Sequence, residues 1–383
     1  MSGRATYAVL LTPPGRGAVA TVLVAGPKAA QLVAPRLFRG GSSSATLAPA
    51  GRICLANWRQ SDGEEVVVAA LDRERVEIHC HGGLAAPEAI CRDLVDAGCE
   101  RIDWPAWNAI DSGDRTVRAA LVALAHARTE RTAMMLLDQY QGALVRELAD
   151  IERLIDVGDW QAAHNRVAAI NARRAIGAHL VEPWRVVLAG LPNVGKSSLI
   201  NALVGYQRAI VYDAPGTTRD TVATSTALGG WPVELCDTAG LRDSGETIEA
   251  EGVRLAREAA GGADALVLVF SAQEEWSATG KGLLAEWPSA IVVYSKCDLG
   301  APPADGRPAG IATSAVTRAG LEELERAIVA RLVPNEPAAG AAIPLDAEQA
   351  ALVETLLAAI ERRSAEAARA ALAPWLADAA GRA

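Results

Sequence analysis

Residues 190–198 read GLPNVGKSS, and the fold of this chain is read outward from them. The pattern is Gly, four residues, then Gly-Lys-Ser. The apolar run Val186-Val187-Leu188 precedes it, and Leu199, Ile200, Ala202 and Leu203 follow. The first run suits a buried parallel strand and the second opens a helix, the context a phosphate-binding loop requires. Gly190 and Gly195 let the backbone curl until successive N–H groups of Asn193, Val194, Gly195, Lys196, Ser197 and Ser198 point at phosphate oxygens. The helix N-terminus reinforces them. Lys196 supplies a point charge for the outer phosphates, and the Ser197 hydroxyl suits Mg²⁺. The bland alternative is a Gly-rich turn with a surface lysine, and the flanking strand and helix patterns argue against it.

Which base is bound follows from the downstream elements. Asp237-Thr238-Ala239-Gly240 ends an apolar strand, Val233 to Cys236. Asp237 is placed to hold Mg²⁺ through water, and Gly240 to donate its N–H to a γ-phosphate and swing when that phosphate leaves. Between the two lies Thr217-Thr218-Arg219-Asp220, with Thr218 the candidate second hydroxyl on Mg²⁺. Ser295-Lys296-Cys297-Asp298 follows the strand Ala290 to Tyr294. Asp298 can accept from both N1–H and the exocyclic amine of guanine, donors that adenine lacks on that edge. Thr313-Ser314-Ala315 comes last, where a backbone N–H can meet the guanine carbonyl. Five elements in this order predict GTP binding. The set resembles the translation-factor-related GTPases, whose guanine motif opens with Asn or sometimes Thr. Ser295 keeps a small hydroxyl but loses the paired donor and acceptor of an amide. The expected loss is about 1 kcal/mol, one ordinary hydrogen bond.

Composition bounds the rest. With 383 residues, 50% of them hydrophobic, the chain can bury two or three cores. The six cysteines (Cys54, Cys80, Cys91, Cys99, Cys236, Cys297) show no CxxC or zinc-finger spacing, which predicts reduced thiols and a cytoplasmic chain. The opening Met-Ser-Gly-Arg and the break at Pro13-Pro14 do not read as a signal peptide. No stretch approaches about 18 uninterrupted apolar residues, so no membrane span is expected. A net charge of −9 argues against a protein that coats nucleic acid, although a local basic patch could hold an RNA.

Four segments are predicted. Residues 1–115 alternate short apolar runs (Tyr7 to Leu11, Val19 to Val24, Val66 to Leu71, Val76 to Ile78) with Gly/Pro/Ser turns, as a small α/β domain does. Residues 116–182 carry Leu121, Leu124, Met134, Leu137, Leu144, Leu148, Ile151 and Leu154 at three- and four-residue steps, which predicts amphipathic helices. The nucleotide-binding domain, α/β with a mostly parallel sheet, spans 183–334. A linker rich in Pro, Ala and Gly follows. Within 335–383, Leu345, Leu352, Leu356 and Ile360 mark a further helix, interrupted at Pro374. Its apolar face is exposed unless it returns to the helices before the nucleotide-binding domain.

Thr12-Pro13-Pro14-Gly15-Arg16-Gly17-Ala18-Val19-Ala20-Thr21, Val76 to Gly83 (VEIHCHGG) and Leu137 to Leu144 (LDQYQGAL) carry a more specific likeness. Together with GLPNVGKSS and DTAGLR they resemble the tRNA-modifying GTPases of the MnmE (TrmE) family over nearly the whole chain. The resemblance implies a GTPase domain inserted in a helical domain, behind a folate-binding-like N-terminal dimerisation domain. It implies GTP hydrolysis with GTPase domains pairing across their nucleotides when K⁺ is present. Asn193 would then be the side-chain ligand of K⁺, with the backbone around Tyr212, Ala214 and Thr217 closing over it, within the loop Tyr212-Asp213-Ala214-Pro215-Gly216-Thr217-Thr218. Such a cation would replace an arginine finger. The water-orienting residue carried over is Glu249. From chemistry alone Glu249 is an ordinary carboxylate at a helix start, and Asn193 caps a tight turn. The implied partners are a second copy, an FAD-dependent MnmG-like protein and tRNA, acting on the wobble uridine.

Departures from the family pattern cluster at both ends. The family holds formyl-tetrahydrofolate with an arginine where this chain has Leu23, although Glu77 is retained. Its Pro-Gly-Glu-Phe stretch reads Trp104-Pro105-Ala106-Trp107-Asn108 here, and the lysine beyond it has no clear counterpart in Ile110 to Arg115. The C-terminal Cys-Ile-Gly-Lys is absent from Ala371 to Ala383. Weak or absent folate binding is therefore expected. His79-Cys80-His81 could hint at a metal, but neighbours on a strand point to opposite faces, which favours a strand end over a site. The dispersed tryptophans read as packing. One alternative function is a nucleotide-gated switch that has lost the one-carbon and tRNA chemistry, and a nearby FAD-dependent partner gene separates the two. A ribosome-assembly GTPase would require a KH-type extension with a GXXG segment, which the sequence lacks.

Overall fold

The computed structural model describes residues 5–13, 15, 17–39, 42–43, 47, 49–60, 63–111, 114–206, 223–237, 261–303 and 306–380. The chain divides into two compact units, Met1–Gly113 and Asp114–Ala383.

The first unit is an eight-stranded mixed sheet. Its strands are Tyr7–Leu10 (β1), Val19–Ala25 (β2), Leu37–Arg39 (β3), Ser42–Ser43 (β4), Ile53–Trp58 (β5), Glu65–Ala70 (β6), Arg75–His81 (β7) and Glu100–Ile102 (β8). Their spatial order is β4-β3-β5-β6-β7-β2-β1-β8. Burial alternates along β6 and β7, the period-two signature of a sheet with one face in a core. The buried residues Val66, Val68, Val76, Ile78 and Cys80 pack with Val33 of Ala29–Val33 (α1) and with Ile90 and Leu94 of Ala85–Asp96 (α2). On the opposite face Val9 and Leu23 meet Trp104 and Trp107 of Trp104–Asp111 (α3).

In the second unit five helices come first: Arg115–Leu124 (α4), Glu130–Tyr140 (α5), Ala143–Asp156 (α6), Trp160–Ala172 (α7) and Arg174–Ala178 (α8). Asp114, Thr129 and Asp159 cap α4, α5 and α7 by accepting backbone N–H bonds. A six-stranded sheet follows, in the order β10-β11-β9-β12-β13-β14. Its strands are Trp184–Ala189 (β9), Ala223–Leu228 (β10), Trp231–Asp237 (β11), Ala265–Ser271 (β12), Ile291–Ser295 (β13) and Ile311–Ala312 (β14). Among the described residues, all its pairings are parallel except the β10–β11 hairpin. The helices Lys196–Tyr206 (α9), Ala278–Glu286 (α10) and Leu321–Leu332 (α11) belong to this part. A parallel sheet hidden on both faces needs near-continuous apolar strands, and β9 is buried at Val186, Val187, Leu188 and Ala189.

After the sheet the chain returns to the helices. Leu352, Leu356 and Ile360 of Ala347–Glu361 (α12), with Leu372 and Trp375 of Ala365–Ala380 (α13), share a core with Leu144, Leu148 and Ile151 of α6. Each such aliphatic side chain contributes about 1.5–3 kcal/mol by leaving water. The six-stranded sheet is thus inserted between helices that close on each other. Buried Gln139 pins the returning segment: its Nε2 donates to the Ala341 carbonyl at 2.9 Å, and its Oε1 accepts from the Ile343 N–H at 3.1 Å.

Two sequence expectations are corrected. The last helix is not interrupted at Pro374, which lies inside α13; the break falls instead at Arg362 to Ser364, where Arg363 takes a left-handed φ of 50°. Pro374 is exposed, so the carbonyl that loses its N–H partner can meet water while Leu372 and Trp375 hold the helix by packing. Met134 is 57% exposed, and the buried positions of α5 are Thr132, Leu136 and Gln139.

Candidate functional site

The loop between β9 and α9 positions the candidate site. Gly190 has φ +152, and a Cβ there would stand 2.2 Å from the Val269 carbonyl oxygen, so the loop can leave β9 beside β12 only without a side chain. Asn193 takes φ 62 and lies exposed at the crest, a conformation asparagine tolerates better than most residues. Lys196 at the start of α9 is only 5% exposed, and its Nζ donates to the carbonyls of Gly190 at 3.0 Å and Leu191 at 2.9 Å. Burial pushes its ammonium below the usual lysine value, and the nearby Asp237 carboxylate opposes that shift. Ser198 is exposed and Val194 is buried beneath the loop.

The Ser197 hydroxyl donates directly to Asp237 Oδ2. Two hard oxygens from separate elements are thus in contact beside Lys196, a donor set that fits Mg²⁺ and not a softer metal. Asp237 ends β11, which runs parallel to β9 with Asp237 opposite Leu188.

The guanine-motif residues are tied to the loop by contacts the sequence does not reveal. Ser295 is 5% exposed, and its Oγ lies within hydrogen-bond reach of the Val194 carbonyl and 3.2 Å from the Phe270 carbonyl. The hydroxyl therefore still fastens β13 to the phosphate loop despite the loss of an amide. Lys296, with φ 60, donates from Nζ to the Asn193 carbonyl at 2.7 Å. Asp298 accepts at Oδ1 from the Ser314 hydroxyl at 2.6 Å, which orients the carboxylate. Thr313 is fully buried, its N–H donating to the Tyr294 carbonyl at 2.7 Å, and Ala315 follows in a turn. Asn193, Val194, Gly195, Lys196, Ser197, Asp237, Ser295, Lys296, Asp298, Thr313 and Ser314 are all drawn to one end of the sheet. Tyr212, Asp213, Ala214, Pro215, Gly216, Thr217, Thr218, Thr238, Ala239, Gly240 and Glu249 lie outside the described residues.

In the first unit, Glu77 on β7 stands opposite buried Leu23 on β2. Glu77 Oε2 is 3.3 Å from His79 Nε2, and His79 Nδ1 is 3.0 Å from the Thr21 hydroxyl. His81 instead meets Glu64, at 2.7 Å. Cys80 points to the other face, where burial, and secondarily the charge of Glu64, push its thiol up to about 11. No group of three or more potential metal-ligating side chains occurs among the described residues. No helix among them is long and apolar enough to cross a membrane.

A phosphate loop, a Ser–Asp pair of hard oxygens and an oriented aspartate at the guanine position, on a mostly parallel sheet, define a GTPase. Residues 185–296 match the family described as "50S ribosome-binding GTPase". Over longer stretches the chain is similar to proteins named tRNA modification GTPase MnmE. That of Synechococcus sp. (strain CC9902) is 30% identical over 94% of this chain and 88% of its own length. That of Methylorubrum populi is 36% identical over 82% and 78%, and that of Bacillus velezensis 31% over 84% and 81%. The chain belongs to the MnmE family.

Proposed function

We propose that the chain hydrolyses GTP in step with potassium-stimulated pairing of its GTPase domains, and that this cycle serves modification of the tRNA wobble uridine with an FAD-dependent, MnmG-like partner. The observation that carries the reading is similarity to tRNA modification GTPases along more than nine-tenths of the chain, 94% of it in the Synechococcus comparison. The guanine base is read by Asp298, with a backbone N–H of the Thr313-Ser314-Ala315 turn at its carbonyl. The triphosphate lies along the N–H groups of Asn193 to Ser198, with Lys196 on the outer phosphates. Ser197, Thr218 and Asp237, the last through water, would hold Mg²⁺. Asn193 with the backbone of Tyr212, Ala214 and Thr217 would hold K⁺. Both ions would neutralise charge that builds up between the phosphates. Glu249 orients a water for attack on the γ-phosphorus as the bond to the β–γ bridging oxygen breaks, and Gly240 donates its N–H to the γ-phosphate.

Hydrolysis is expected to rise at least tenfold when Na⁺ is replaced by K⁺, and Glu249→Ala to keep nucleotide affinity while losing most turnover, about 10²-fold. A phosphate-release assay in the two salts checks both. Equal rates in Na⁺ and K⁺ would remove the potassium proposal, and full turnover in Glu249→Ala would remove that residue's role.

We propose that formyl-tetrahydrofolate binds weakly or not at all. Leu23 offers no charge beside Glu77, and Glu77 is engaged by His79. Calorimetric titration should detect no binding in the micromolar range; a micromolar dissociation constant would sink the proposal.

A further inference from the structure

The β10–β11 hairpin has two ends with different neighbours. Its open end meets the nucleotide site: β11 finishes at Asp237, in contact with Ser197, and leads directly into Thr238-Ala239-Gly240. Its turn, Gly229-Gly230, meets the helices. Gly230 has φ +81, and a Cβ there would stand 2.8 Å from Arg131 Nε on α5. Trp231, fully buried, lies 5.8 Å from the Arg131 guanidinium carbon, measured to its ring centroid. The same guanidinium pairs with Glu336 on the segment that returns from the sheet to the helices. Gly229 donates its N–H to Glu325 on α11 at 2.6 Å.

From this arrangement we infer that Arg131 is a positioning residue through which the nucleotide site and the helical region bias each other. The inference rests on the proposed GTP site. The hairpin is fully paired from Ala223↔Cys236 to Leu228↔Trp231, so a shift at one end reaches the other as a shift of the whole ribbon. The Ser197 hydroxyl donates its proton to Asp237 and keeps lone pairs for a divalent cation, so a cation held by Ser197 and reached by Asp237 through water would fix the position of the β11 end. The far end is suited to take up such a shift. Trp231 is held by packing and by Arg131, and its indole N–H is buried with no hydrogen-bond partner among the described residues. A flat guanidinium on an aromatic face can slide without losing its contact, unlike a directional hydrogen bond. Arg131 carries any shift to both α5 and, through Glu336, the returning segment.

Linkage makes the test specific: if the two sites are coupled, loosening one changes the preference of the other between ligands. Full-length Arg131→Met, which keeps the aliphatic stem, and Glu336→Gln, on an exposed partner, are titrated with GDP and with a non-hydrolysable GTP analogue, both with Mg²⁺. The ratio of the two dissociation constants should shift by roughly three- to tenfold in both variants and in the same direction. A merely structural role would weaken both ligands alike. A ratio within twofold of the unaltered protein in both variants, while that protein binds both nucleotides, overturns the coupling alone. Failure of the unaltered protein to bind either nucleotide overturns the proposed site, and the coupling with it.

Discussion

Lys196→Ala should abolish nucleotide binding at ordinary working concentrations, weakening GTP and GDP by about 10³-fold. The Lys196 ammonium is buried and oriented before any ligand arrives, by the carbonyls of Gly190 and Leu191. A unit charge about 4 Å from a phosphate oxygen contributes about 4 kcal/mol at an effective dielectric near 20, and that figure converts to the stated factor. The loss should fall on binding and not on folding. Burial already disfavours this ammonium, and a phosphate would restore the stabilisation that desolvation removes. Titration with a fluorescent guanine nucleotide, alongside a thermal unfolding curve, checks the prediction. Affinity within tenfold of the unaltered protein would show that the loop does not bind phosphate as described.

Asp298→Asn should exchange guanine for xanthine. The Ser314 hydroxyl occupies one side of Oδ1 and fixes the carboxylate plane, leaving acceptor positions for two donors of the base. An asparagine keeps one carbonyl oxygen but presents an N–H₂ where the guanine amine also donates. Two charge-assisted bonds, each contributing about 1.5–3 kcal/mol, are lost or weakened, so GTP affinity should fall by about 10²–10⁴-fold. Xanthine carries a carbonyl in place of that amine and can accept from the amide, so the variant should prefer XTP. Competition between GTP and XTP for the variant measures this directly. A retained preference for GTP would place base recognition on another residue.

Much of the fold was legible because its signals are local. GLPNVGKSS between an apolar run and a helical pattern can be read without knowing what packs against it, and β9 and α9 stand where that reading puts them. The returning helix was legible as an amphipathic pattern, and its partner face on α6 follows from the matching stripe Leu144, Leu148 and Ile151. Pro374 misled because a proline's effect in a helix depends on whether the orphaned carbonyl meets water, which is a property of burial. Met134 misled because three- and four-residue spacing allows neighbouring stripes, and packing against the sheet selects Leu136 instead. At the site, residue types were readable but their fastening was not. The Ser295–Val194 and Lys296–Asn193 contacts join residues about a hundred positions apart, through a left-handed Lys296 that no residue preference announces. Arg131 carries no motif at all; its place beside Trp231 arises from the glycine turn of a hairpin on another layer.

The wobble uridine itself gives the most direct test of the account. In a strain deleted for this gene, mass spectrometry of digested tRNA should show the wobble modification lost, restored by the full chain and not by Lys196→Ala. Unchanged modification in the deletion strain, with no second copy of the gene present, would contradict the proposed role and leave a GTPase that drives something else.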